Sequence, residues 1–273
     1  MSATFPQQVP GHQGYAELSD ARLWYTDTGG EGDVVVLCHP ASQSGEIWGY
    51  QQPAFAAAGY RVIAYSRRGY GRSEKGAPDN TGTSVGDLVQ LLDMLGISKV
   101  HILGAAAGGI TALAFAVAEP ERTLSVTLAG TIFSLNEADW REFYGRLGIN
   151  AVRDAVSTEF LELGPTYRMS NPDGTAHFAA LSDEAHRNSP VRQSSGISVT
   201  FAALAEMRLP ALLLTGEADL YAPPPLQSLI ASHLPNTETH TMREVGHAAY
   251  WEQSETFNEI VLSFLARHRQ VAT

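Results

Sequence analysis

The chain of 273 residues has little of several things. Cysteine occurs once, at Cys38, which excludes an internal disulfide and a thiolate metal site built from this chain alone. Basic residues are scarce: 18 Lys and Arg face 29 Asp and Glu, a formal charge of −11, so nucleic acid and anionic membranes are poor partners. No apolar run approaches the roughly 18–20 residues that span a bilayer. The opening segment, through Tyr15, has neither the basic flank nor the apolar stretch of a signal peptide. Histidine spacings of the H-x-H or H-E-x-x-H type are missing, and so is a dinucleotide fingerprint around Gly69–Gly71. These absences lead us to expect a cytoplasmic protein without metal or cofactor. Its partner would be a small molecule, with a homodimer compatible with the chain.

What is present is an alternation of short apolar runs and helical patterns. Strands are expected at Ala21–Thr28, Val34–Cys38, Arg61–Tyr65, Val100–Leu103, Leu124–Leu128, Ala211–Thr215 and Thr239–Arg243, with a weaker one at Tyr15–Leu18. Runs such as Val34–Cys38 suit strands covered on both faces, as in a parallel sheet under helices. Val85, Leu88, Leu92 and Leu95 mark one helix, with Ser84 and Asp87 in capping-box positions and Gly96 at its end. Phe257, Ile260, Val261, Phe264 and Leu265 mark another. Asp87 and Asp93 read as solvated helix positions. The rhythm stops near Ile132 and resumes near Glu206. We therefore divide the chain into an α/β core, residues 1–131 and 206–273, and a helical cap, residues 132–205, with a hinge near Gln193–Ser198.

The decisive stretch runs from Val100 through Gly109. A buried strand enters a turn of small residues and passes at once into a helix. This is the layout of a nucleophile elbow, G-x-S-x-G, here Gly104-Ala105-Ala106-Ala107-Gly108 with alanine in the serine position. An acid, Asp219, follows a later strand at Leu214-Thr215-Gly216-Glu217-Ala218-Asp219, and its spacing favours it over Glu217. A histidine, His247, follows at Val245-Gly246-His247. In order and placement these segments resemble the α/β-hydrolase superfamily over nearly the whole chain. His39-Pro40-Ala41 is similar to that family's His-Gly-x segment, with proline for glycine. Arg68-Gly69-Tyr70-Gly71-Arg72-Ser73 is similar to its R-G-x-G-x-S loop, with Ser66 where an aspartate is usual.

The resemblance implies an α/β-hydrolase fold with a mostly parallel eight-stranded sheet. It implies that Asp219 orients His247, that His247 moves the proton, and that the amides of Ala41 and Ala107 form an oxyanion hole. Ala106 marks the nucleophile position. Two origins stay open for it: an alanine native to a serine-less branch, or a serine replaced to trap a substrate. Either way no acyl-enzyme forms at residue 106, and the dyad must act on water or directly on substrate. Ser42 is a neighbouring hydroxyl, more readily explained as a turn or cap residue. His39 is expected to organise the oxyanion loop. His39, Ser42, Trp48, Trp140, Tyr144 and Tyr167 are candidate substrate contacts, the aromatic ones alternatively packing residues. Three functions follow: hydrolysis of a small apolar carbonyl compound (an ester, a lactone or a C–C bond next to a ketone), a lyase or cofactor-free oxygenase using the same dyad, or ligand binding without turnover.

Overall fold

Strands of five to seven residues line up side by side in the computed structural model, which describes residues 5, 9, 11–152 and 155–270. The strands are β1 (His12–Glu17), β2 (Arg22–Asp27), β3 (Val34–Cys38), β4 (Arg61–Tyr65), β5 (Val100–Ala105), β6 (Thr123–Ala129), β7 (Ala211–Gly216) and β8 (Thr237–Met242). They form one eight-stranded sheet in the order β1-β2-β4-β3-β5-β6-β7-β8. β1–β2 and β2–β4 pair antiparallel, and the remaining pairs are parallel. The three central apolar runs explain the arrangement. Every residue of β5 and β7 is buried, and β3 is buried from Val35 onward. Strands with no polar face need cover on both sides.

Helices provide that cover and leave one core on each face. α2 (Ser84–Met94), α3 (Ala107–Ala118) and α10 (Pro224–Ala231) contribute to the first core, with Leu88, Leu92, Phe115 and Ile230 against Val36, Ile102 and Leu213. α1 (Gln51–Ala57) and α12 (Ser254–Arg267) contribute to the second, with Phe55, Phe257, Val261 and Phe264 against Leu37, Leu103 and Leu212. Each such Leu or Phe removes enough apolar surface from water to contribute about 1.5–3 kcal/mol.

Between β6 and β7 lie only helices among the described residues: α4 (Ala138–Gly145), α5 (Ile149–Val152), α6 (Thr158–Glu162), α7 (Pro165–Ser170), α8 (Pro172–His186) and α9 (Phe201–Glu206). The returning segment is stitched down. Val191 N–H donates to Arg68 O, Ser84 N–H donates to Ser194 O, and the Gln193 amide donates to Thr81 O and Asp87 Oδ2. The stretch where a hinge was expected, Gln193–Ser198, is thus bonded to the core at Gln193 and Ser194. No helix among the described residues is long and apolar enough to cross a membrane.

Two expectations about α2 need correction. Its N-cap is Thr83, whose hydroxyl accepts from Gly86 N–H, one residue before the anticipated Ser84. Asp87 is buried, not solvated. Its carboxylate accepts from Arg68 Nε at 2.8 Å and Nη2 at 2.7 Å, and Asp20 takes the same guanidinium at 2.5 Å. A helical period marks Asp87 as a face position but cannot show that a buried arginine arrives from the loop after β4.

Candidate active site

The site begins with backbone geometry. β5 runs into α3 through Ala106, which has φ 49° and ψ −116°, a conformation costly for any residue with a Cβ. Ala106 N–H donates to Ala129 O at the end of β6, so the turn is tied to the neighbouring strand. The glycines around it permit close contact. A Cβ on Gly104 would fall against the backbone of Gly108 and Gly109, and one on Gly108 would fall on the carbonyl of Cys38. The end of β3 therefore presses directly on the first turn of α3. That brings the His39-Pro40-Ala41 segment to a helix N-terminus whose first amide, on Ala107, has no partner within the helix.

His39 is fully buried and both ring nitrogens are taken. Nδ1 lies 2.7 Å from Pro40 O, and Nε2 accepts from Arg67 N–H at 3.0 Å. Burial, with the Arg67 charge, holds its pKa well below the ordinary 6.5, so it stays neutral. A ring so occupied braces the turn that carries Pro40 and Ala41.

His247 and Asp219 meet as the sequence suggested. His247 Nδ1 is 2.9 Å from each carboxylate oxygen of Asp219, and both residues are buried, at 6% and 4% exposure. Tyr221 and Ala222 N–H groups donate to Asp219 Oδ1, which fixes the carboxylate. Glu217 lies outside, exposed, accepting from Glu244 N–H. With Nδ1–H donating to Asp219, Nε2 is the ring atom left free to accept a proton. Burial works against protonating His247, but the charge and hydrogen bond of Asp219, joined by Glu162 and Glu252, outweigh it and raise its pKa. The dyad packs on Gly130: a Cβ there would come 3.1 Å from His247 Nδ1 and 3.2 Å from Asp219 Oδ2. Gly130 directly follows Ala129, the residue that holds the elbow. The imidazole, its carboxylate and the Ala106 turn thus meet at one end of β5, β6 and β7.

The remaining candidates separate. Ser42 belongs to the site, donating its hydroxyl to Glu162 Oε2 at 2.7 Å in a buried contact. Trp48 is fully buried in the core beside Tyr250, with ring centroids 5.1 Å apart. Trp140 packs inside the cap, stacked on Tyr144 at 5.7 Å and edge-on to Phe133. Tyr167 lines an outer cleft with Tyr50, Trp251 and Glu252, its hydroxyl accepting from Asn171. For Trp48, Trp140 and Tyr144 the packing alternative describes what they touch.

Two carboxyl groups escaped sequence reasoning. Glu162, on α6, is buried, and burial raises its pKa above the ordinary carboxylate value. Its peptide carbonyl accepts from His247 N–H at 2.8 Å and Ala248 N–H at 3.0 Å. Glu252, on α11 (Ala249–Glu252), accepts from Gly164 N–H and Gly246 N–H at 2.9 Å each. Burial pushes its pKa up to about 7. The available signal for Glu162 was its place between the apolar Leu161 and Leu163, and for Glu252 its place directly after Ala249-Tyr250-Trp251.

Comparison with known proteins agrees with this architecture. The family model described as alpha/beta hydrolase fold matches residues 33–151. A 2-hydroxy-6-oxononadienedioate/2-hydroxy-6-oxononatrienedioate hydrolase of Burkholderia vietnamiensis is 30% identical, covering 91% of this chain and 92% of that protein. Among solved structures, a thermophilic esterase from Thermogutta terrifontis superposes with a TM-score of 0.78 at 20% identity, over 95% of this chain and 100% of that one. The enol-lactonase from Burkholderia xenovorans LB400 superposes with a TM-score of 0.74 at 23% identity, over 93% and 100%. At these identities the two structures speak for the fold.

Proposed function

The chain belongs to the α/β-hydrolase family, and on that premise we propose that it hydrolyses a small carbonyl compound by general-base activation of water. The observation that carries the reading is the buried His247–Asp219 pair, 2.9 Å apart, beside a strained turn that bears no hydroxyl. Asp219 holds Nδ1–H and stabilises the imidazolium. Nε2 takes a proton from water as the water oxygen bonds to the substrate carbonyl carbon. Ala41 and Ala107 amides bind the resulting oxyanion, a contribution that does not depend on the side chain at position 106. His247 then returns the proton to the leaving group, and the carbonyl reforms.

Substrates of this kind are esters, lactones and ketones cleaved at the adjacent C–C bond. The relative named a 2-hydroxy-6-oxononadienedioate/2-hydroxy-6-oxononatrienedioate hydrolase supports that range. The cap would close over the site and select among them. Turnover of an ester, lactone and diketone panel by the protein, its His247→Ala variant and its Asp219→Asn variant tests the assignment. Loss of about 10²–10⁴-fold in kcat on removing the imidazole is expected. Unchanged turnover of the best substrate by His247→Ala would exclude it.

A further inference from the structure

We propose that Glu162, at the end of α6, is a positioning residue for the His247 base and for the oxyanion loop. This deepens the hydrolase reading above and rests on it. One residue holds both catalytic loops at once. Its carbonyl takes the amides of His247 and Ala248, and its carboxylate takes the hydroxyl of Ser42, the residue after Ala41. These bonds, the one to Ser42 crossing 120 residues of chain, join α6, the oxyanion segment and the loop after β8. Leu161 and Leu163 are buried on either side, so the helix end cannot swing away without exposing apolar surface.

The carboxylate also sets the field at the imidazole. His247 is faced by Asp219 from the loop after β7, by Glu162 from α6 and by Glu252 from α11, with the Tyr221 ring 4.7 Å away. Glu162 in turn is faced by His247, Ser42, Asp219 and His186. Burial opposes ionising Glu162 and also opposes protonating His247, so each ion stabilises the other. Glu162 thus adds a second carboxylate to that of Asp219 in stabilising the imidazolium after proton transfer.

A purely structural staple and a positioning carboxylate differ in one readout, the titration of His247. Glu162→Gln keeps the carbonyl and an oxygen acceptor for Ser42 but removes the charge. We expect the His247 imidazole signals in NMR, assigned by their loss in His247→Gln, to titrate about half a pH unit or more lower in Glu162→Gln. The acid limb of kcat/KM should move by the same amount. Glu162→Asp, shorter by one methylene, should keep the titration near that of the parent while kcat falls about tenfold or more through the lost Ser42 contact. An unchanged His247 titration in Glu162→Gln at unchanged Tm would overturn the proposal. A shifted titration in a protein that turns over nothing on the panel would uphold the role of Glu162 and count against hydrolysis instead.

Discussion

Ala106 shows how much one backbone position decides. Its φ of 49° with ψ −116° costs of order 1–3 kcal/mol for a residue with a Cβ, and the fold holds it there with Ala106 N–H bonded to Ala129 O. Glycine would remove the steric part while adding unfolded-state entropy of about 0.5–1 kcal/mol. We therefore expect Ala106→Gly to be net stabilising by about 1 kcal/mol in urea denaturation, and a clear loss of stability would contradict the strain argument. His247 gives a second residue-scale test. Its pKa lies above the ordinary 6.5, and a base must be neutral, so kcat/KM should rise with pH along a limb placed above 6.5. A limb below pH 6 would show that burial, not Asp219, controls the ring.

At the scale of elements, the central strands were legible because they are short, apolar and buried on both faces. Val34–Cys38 and Arg61–Tyr65 match β3 and β4 in full, and Val100–Leu103 stops two residues short of the end of β5. The last strand, expected at Thr239–Arg243, begins two residues earlier at Thr237, because its polar edge residues carry no apolar signal. The cap resisted reading beyond its helical character. Its helices are four to fifteen residues long and pack on one another and on the core, so no single period extends far enough to set their ends. The contact between β3 and α3 is the element-scale feature on which the site depends. Gly108→Ala would drive a Cβ into the Cys38 carbonyl and push the oxyanion segment off the helix. We expect a loss of about 3 kcal/mol or more in chemical denaturation, with turnover falling further than stability explains. A stable, fully active Gly108→Ala protein would mean that the amides of Ala41 and Ala107 need no such approach.

For the whole molecule, a buried carboxyl at the junction of the helical segment with the core ties its integrity to pH. Glu252 joins Gly164 of the cap to Gly246 beside the dyad, and its pKa of about 7 in the folded protein exceeds the ordinary 4.5. A carboxyl raised in this way contributes stability that is complete below pH 4.5 and is lost as pH rises through 7. Glu252→Gln, neutral at every pH, should therefore gain on the parent by about 2 kcal/mol between pH 5 and pH 8. Parallel stability curves would place Glu252 in solvent contact. This level was the least legible. The dyad could be read because elbow, acid and histidine follow one another at strand ends, whereas Glu162 reaches His247 only through tertiary packing of the cap. The same limit applies to Arg68 and Asp87, whose pairing is a fact of folded geometry.

The most direct test is a single turnover of a cleaved ester or lactone in ¹⁸O-labelled water, with the protein's mass followed through the reaction. Water activated by His247 should place one ¹⁸O in the acid product on the first turnover, while the protein mass stays unchanged throughout. A first-turnover product without label, or a transient adduct on the chain, would contradict direct attack by water.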